Sequence, residues 1–236
     1  MSGSSPLYDD PELAAAYARV SAANVANAAY ERPAVRALIG GVRGLDVLDA
    51  GCAAGEHSAW LVEHGARVVA LDASETMVGL ARERLGESAR VLHADLAQRL
   101  PLADASFDVV LSSLTLHYLE DWVPPLREFA RVLRPGGRLV VSTHHPYMTA
   151  AGVDDYHAVA PVEEGWNGFA DQPVLVRFYH RPLQRIVSDV LNAGFTLRGL
   201  HEPQPTPDAD ERDPKLAARF RREPGFLIVH AEAARR

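Results

Sequence analysis

The sequence predicts an α/β protein built on a doubly wound, parallel sheet. Three observations carry this expectation. Short apolar runs of buried-strand type alternate with helical stretches from residue 45 to residue 142. One strand-to-helix turn, Asp49 to Gly55, consists almost wholly of small residues. Acidic residues close three successive strands, at Asp49, Asp72 and Asp95. Sheets of this class take ligands at the carboxyl ends of their strands, so these acids mark a candidate site.

The bulk of the chain sets limits. Its 236 residues suit one domain with a full core and are too few for two large ones. Apolar residues make up 47% and charged residues 23%, the balance of a soluble globular protein. A net charge of -7 argues against a chain-wide nucleic-acid surface, which needs clustered Lys and Arg. Cys52 is the only cysteine, so no intrachain disulfide can form. The first ten residues lack a basic region followed by an apolar run, and no stretch approaches 18 apolar residues. These features predict a cytoplasmic enzyme without a membrane or nucleic-acid partner; a monomer or homodimer is expected.

Residues 1 to 6 read as a disordered tail. From Asp9 to Ile39 the text is Ala-rich with helical spacing, predicting two helices divided near Pro33, the first capped by Asp9 or Asp10. The first strand runs through Leu45, Val47 and Leu48, followed by the small-residue turn and a helix beyond Gly55. Arg67 to Leu71 is the second strand. Ser74 caps a helix ending near Leu85, and Ala89 to His93 is the third strand. Phe107 to Leu111 is a buried strand behind a loop marked by Pro101 and Asp104. Trp122 to Leu133 is a helix, Arg134 to Gly137 a turn, and Arg138 to Ser142 the fifth strand. Residues 143 to 181 are too long and too aromatic for a neutral connection, and they are read as a substrate cap. Pro173 to Tyr179 alternates as an extra strand. A helix over Pro182 to Ala193, a sixth strand over Phe195 to His201, a polar loop over Pro203 to Pro214, a short helix over Lys215 to Arg222 and a strand over Phe226 to Ala231 complete the chain.

A strand, a tight turn of small residues and a helix N-terminus let backbone approach a ligand closely. Asp72, about twenty residues on, stands where an acid can hold ribose hydroxyls. The spacing Asp49-x-Gly51-x-Ala53-x-Gly55 lacks the last glycine of G-x-G-x-x-G, and its leading carboxylate would repel a pyrophosphate while suiting a cationic ligand. This stretch resembles motif I, D-x-G-x-G-x-G, of the class I S-adenosylmethionine (SAM)-dependent methyltransferases, with Ala53 in place of the middle glycine. Residues 100 to 109, LPLADASFDV, resemble a second passage of that family. The resemblance covers roughly residues 40 to 142. It implies a Rossmann-like seven-stranded sheet whose last strand is antiparallel, a helical lid over 7–42, a SAM-binding core over 43–142, the cap over 143–181 and a closing helix and hairpin over 182–236.

It also implies site roles. Asp49, Gly51, Ala53 and Gly55 would hold the methionine end of SAM, and Asp72 with Ala73 the ribose. Met77 would touch one face of the adenosine, Asp95 and Leu96 the adenine edge and ring, and Ser112 the floor beneath the methyl donor. Tyr8, Tyr17 and Tyr30 of the lid, and Tyr147, Trp166, Tyr179 and His180 of the cap, are the candidate acceptor contacts, which suits an aromatic or apolar acceptor. Methyl transfer to O, N or acidic C requires a proton to leave, so histidines at strand ends are candidate bases. These are His144 and His145 after the fifth strand and His117 after the fourth. No metal is expected, because His144, His145, Asp155 and His157 show no fixed-spacing signature. Two other functions fit the same residues: SAM binding with a non-methylating activity such as cyclisation, and nicotinamide-dependent redox chemistry.

Overall fold

The computed structural model describes residues 6–234; of the tail expected over residues 1–6, residues 1–5 lie outside them and Pro6 begins a helix. Nine strands and ten α-helices follow one another in these residues. Five strands lead: β1 (Asp46–Ala50), β2 (Arg67–Asp72), β3 (Ala89–His93), β4 (Phe107–Ser113) and β5 (Leu133–His144). Then come β6 (Ala160–Trp166), β7 (Val174–His180), β8 (Phe195–His201) and β9 (Phe226–Ala233). The helices are α1 (Pro6–Asp9), α2 (Pro11–Ala23), α3 (Arg32–Ile39), α4 (Glu56–Glu63) and α5 (Glu75–Leu85), then α6 (Val123–Val132), α7 (Pro146–Thr149), α8 (Leu183–Asn192), α9 (Ala209–Arg212) and α10 (Pro214–Phe220).

Seven strands form one sheet in the order β3-β2-β1-β4-β5-β9-β8. Neighbouring pairs from β3 to β5 are parallel, and β9 runs antiparallel to both β5 and β8. The doubly wound sheet with an antiparallel last strand is therefore present. Side-chain alternation along its strands builds two separate cores. Leu48, Ala50, Val110, Leu139 and Val141 meet Trp122, Leu126 and Phe129 around α6, and Ile186 and Val190 of α8. Val47, Val68, Val109, Leu111 and Val140 meet Val35 and Ile39 of α3, Leu61 of α4, and Val78, Ala81 and Leu85 of α5. Both faces are covered, which is why the central strands read as nearly continuous apolar runs.

Three expectations change. The break in the N-terminal helical segment falls at Asn24, not Pro33: α2 ends there, and a π-helical turn over Asn27–Glu31 leads directly into α3. Pro33 lies in the first turn of α3, where its missing N–H breaks no bond. The turn at 134–137 lies within β5, as a bulge between the pairs Phe107↔Leu133 and Val109↔Arg138, with Gly136 at φ +76°. The polar loop after β8 carries α9 and is tied to the N-terminal segment, because Thr206 donates N–H and Oγ1–H bonds to the Ala29 carbonyl, both 2.8 Å.

The segment between β5 and α8 folds as a two-stranded antiparallel hairpin of β6 and β7. Its buried face, Val162, Val176 and Phe178, packs on Leu7, Tyr8, Leu13 and Tyr17 of the N-terminal helices and on Tyr118. The N-terminal segment and the hairpin thus share one apolar cluster above the strand ends.

Candidate functional site

The turn after β1 is held open by its glycines. Gly51, at φ +87°, and Cys52 both donate to the Leu71 carbonyl at the end of β2, at 2.8 and 2.9 Å. A Cβ on Gly51 would stand 2.2 Å from Thr115 Cγ2, so no side chain fits. Ala53 accepts a left-handed φ of +46°, a conformation that costs an L-residue about 1 kcal/mol. Gly55, φ +81°, is the N-cap of α4.

Asp72 closes this turn from the neighbouring strand. Its Oδ2 accepts the Ala53 N–H and its Oδ1 the Ser74 N–H, both at 2.9 Å. A carboxylate offers about four acceptor positions, so two lone pairs remain for ligand hydroxyls. Burial holds the Asp72 carboxyl above its ordinary range, and the N–H bonds from Ser74 and Ala53 oppose that. Asp49 is 1% exposed and accepts the Ser58 hydroxyl at 2.6 Å. Burial raises its carboxyl too, against His57 and Ser58.

These residues border a cleft of about 1090 Å³, part of which is open to solvent. Of the residues read from the sequence as cofactor-binding, Asp49, Gly51, Ala53, Asp72, Ala73, Asp95 and Leu96 line it. Asp95 also accepts the Ala97 N–H at 2.8 Å, ordering its own loop. Gly55, Met77 and Ser112 lie behind the wall. Met77 is fully buried against Ala14 and Ala54, while Ser112 donates to the Ala50 carbonyl at 3.0 Å and leaves the lining position to Ser113.

Of the candidate acceptor contacts, only Tyr8 and Tyr17 line the cleft. They stand edge-to-face at 5.0 Å, and the Tyr8 hydroxyl bonds that of Tyr118 at 2.5 Å. Ser74 and Thr76 of the α5 start donate to the carbonyls of Tyr8 and Asp9, fastening α1 over the strand ends. The other five candidates stand outside the cleft lining. Tyr30 is fully buried between Phe220 and Phe226, with its hydroxyl accepting the Gly225 N–H. Tyr147 is 56% exposed to solvent. Trp166 and Tyr179 belong to the hairpin, with Trp166 in its apolar cluster. His180 is fully buried and uses both ring nitrogens, on Thr149 Oγ1 and the Tyr156 carbonyl.

The three histidines proposed as bases also stand outside the cleft lining. His117 and His144 stack at 4.1 Å, and Phe178 lies edge-on to His144. Burial drives both down, His144 to about 4, so both are neutral. His145 points the other way, as strand alternation requires; its Nδ1 accepts the Tyr147 N–H and its Nε2 pairs with Glu202 Oε1 at 2.8 Å.

Further residues line the cleft. Ser113 ends β4, Thr115 and Tyr118 follow it, and His57 occupies the first turn of α4. Glu31 and Arg32 enter from the N-terminal segment. They are the only charges between Val20 and Val35, a stretch rich in alanine, and that isolation was the available signal. Arg32 is 7% exposed and donates Nη2–H to the Ser21 carbonyl at 2.7 Å.

Comparison with known proteins follows the same geometry. Residues 48–141 match the family described as "Methyltransferase domain". A crystal structure of an S-adenosylmethionine-dependent methyltransferase from Mesorhizobium loti is 35% identical with a TM-score of 0.74, covering 86% of this chain and 97% of that one. The chain belongs to the class I SAM-dependent methyltransferases. Its cofactor is SAM, and S-adenosylhomocysteine (SAH) is the product. Among curated relatives of this methyltransferase, a demethylmenaquinone methyltransferase from Clavibacter sepedonicus is 39% identical over 164 residues, 66% of either chain. A malonyl-[acyl-carrier protein] O-methyltransferase from Serratia marcescens is 35% identical over 146 residues, 61% of this chain and 56% of that protein. The chain thus spans about two thirds and about half of these two relatives. Among the described residues, no helix is long and apolar enough to cross a membrane.

Proposed function

We propose that this protein transfers the methyl group of SAM to a small-molecule acceptor at the cleft above β1, β2 and β4. The observation that carries the reading is Asp72. It is tied to the glycine turn by two N–H bonds and keeps two lone pairs for a ribose. The residues fit the cofactor along its length. Asp95, Leu96 and Ala73 would border the adenine, with Met77 supporting that wall from behind. Gly51 and Ala53 would let the methionine end approach the backbone, with Asp49 and Gly55 shaping the turn, and Arg32 would complement its carboxylate. When bound, SAM supplies an electrophilic sulfonium methyl group. The protein's part is to align the acceptor with it, exclude water and receive a proton.

Tyr8, Tyr17 and Tyr118 face the same space and suit a flat or apolar acceptor. The small-molecule acceptor also accords with the relative that acts on demethylmenaquinone. In this reading the chain is one methyltransferase domain: lid over 7–42, core over 43–142, cap over 143–181 and closing helix and hairpin over 182–236. Calorimetric titration with SAM and SAH, with NADH as control, tests the cofactor. A screen of small hydroxylated, amino and quinol acceptors with methyl-labelled SAM tests the transfer. Folded protein that binds neither sulfur nucleoside would refute the reading.

A further inference from the structure

We propose that Glu31 is the acceptor-facing group of the cleft: its unbonded carboxylate oxygen takes a hydrogen bond from an amine or hydroxyl acceptor and receives that acceptor's proton. This rests on the methyltransferase reading and assigns its substrate class. Glu31 ends the π-helical turn before α3, a distortion that often accompanies functional positions. It is 1% exposed and lines the cleft. Its Oε1 accepts hydroxyls from Ser113, at 2.7 Å, and Ser142. These serines are register partners at the carboxyl ends of β4 and β5, so the carboxylate is pinned over the strand ends where ligands of this fold bind.

Its Oε2 has no hydrogen-bond partner in the protein. His57 Nε2 stands 3.6 Å from it, within ion-pair range but too far for a hydrogen bond, and both His57 ring nitrogens also lack a hydrogen-bond partner. Burial alone would raise the Glu31 carboxyl, yet His57 and the two serines outweigh it and hold the group below its ordinary value. A buried anion with a bare oxygen is expensive unless a donor completes it.

The other acids of the cleft are engaged. Asp72 and Asp95 hold backbone N–H groups, Asp49 takes Ser58, and Glu56, whose Oε1 also makes no hydrogen bond, lies against the Arg84 guanidinium at 2.5 Å. Burial raises the three tyrosines and Cys52, which therefore remain protonated and cannot take a proton at neutral pH. A carboxylate only accepts hydrogen bonds, so its ligand must donate, which selects amines and hydroxyls and rejects a free carboxylate. In the step itself Glu31 takes the proton released as the acceptor's N–H or O–H bond is replaced by a bond to methyl, and the former carbon–sulfur electron pair stays on sulfur. His57, 3.6 Å away, stands where it can position the carboxylate.

The test uses benzylamine, phenol and benzoate as probes, observed by saturation-transfer NMR on SAH-saturated protein, with SAH affinity measured by calorimetry. Wild type is expected to bind benzylamine and phenol but not benzoate. Glu31→Gln should weaken benzylamine at least tenfold while SAH affinity stays within threefold. Equal probe binding by wild type and Glu31→Gln would overturn the proposal, as would wild type that binds neither benzylamine nor phenol. A tenfold loss of SAH affinity in the variant would assign Glu31 to the cofactor and overturn it too. If Glu31→Gln does not fold, Glu31→Asp, which keeps the charge but retracts it by one methylene, should show the same selective loss. Wild type that binds no SAH refutes the methyltransferase reading instead, and the probe arms repeated without SAH still decide Glu31.

Discussion

Replacing Asp72 by alanine separates what this carboxylate does for the fold from what it does for the ligand. It accepts two N–H bonds within the protein, from Ala53 and Ser74, each at 2.9 Å. Hydrogen bonds to a charged group contribute about 1.5–3 kcal/mol each. Burial already disfavours the charged carboxyl, and removing it relieves that penalty. The net loss of stability is therefore expected near the value of one bond, about 2 kcal/mol, or roughly 4–8 °C in melting temperature for a domain of this size. The ligand loses more. Two ribose hydroxyls deprived of a charged acceptor forfeit about 3 kcal/mol together, on the order of a hundredfold in Kd. The assay is calorimetric titration of SAH into wild type and Asp72→Ala, with circular dichroism and a melting curve to show that the variant is folded. A folded variant that binds SAH within threefold of wild type would refute the assignment of Asp72 to the ribose, and with it the proposed direction of the cofactor along the cleft.

Other outcomes follow from neighbouring residues. Gly51→Ala combines a left-handed φ with a Cβ placed 2.2 Å from Thr115, so it should lose roughly 3 kcal/mol or more. Adding Thr115→Gly should restore the part due to the clash, and a double variant no more stable than Gly51→Ala would show that strain alone matters. Asp49→Asn should raise the melting temperature of the empty protein at pH 7 while weakening SAH. The sign follows from burial holding the Asp49 carboxyl high: its contribution is present below the unfolded value and is lost as pH rises through the higher folded one. The advantage of the variant should shrink as the pH is lowered towards 4, and an advantage independent of pH would contradict this account. Asp189→Asn breaks a pair with Arg181, 2.7 Å apart with both partners almost fully buried. Leaving Arg181 uncompensated above the Trp122 ring should cost about 3–5 kcal/mol in denaturant unfolding, and a loss below 1 kcal/mol would mean that the backbone carbonyls of Leu119 and Glu120 satisfy it.

The core of the fold and half of the site were legible because they are local. Strand periodicity, the cap at Ser74 and the small-residue turn each depend on residues within a few positions, and β3 and β8 fall at the boundaries their patterns predict. Asp49, Asp72 and Asp95 were readable because parallel strands deliver their last residues to one edge of the sheet, whatever lies between. The acceptor side was not readable in this way. Tyr30 and Trp166 look like pocket aromatics in the sequence, but packing against Phe220 and Phe226 makes Tyr30 core, and Trp166 lies half-buried beside Phe169 in the hairpin.

The sequence by itself determined the sheet, the glycine turn and the acids that ring it, since periodicity and backbone conformation leave few alternatives. Only the tertiary structure decided which side chains face the cleft. Tyr8 meets Tyr118 across 110 positions, and Glu31 meets Ser142 across 111. Such contacts come from the way the N-terminal helices and the β6–β7 hairpin dock together over the strand ends. Docking of that kind is set by shape and burial over the whole surface, and no short stretch of the chain encodes it.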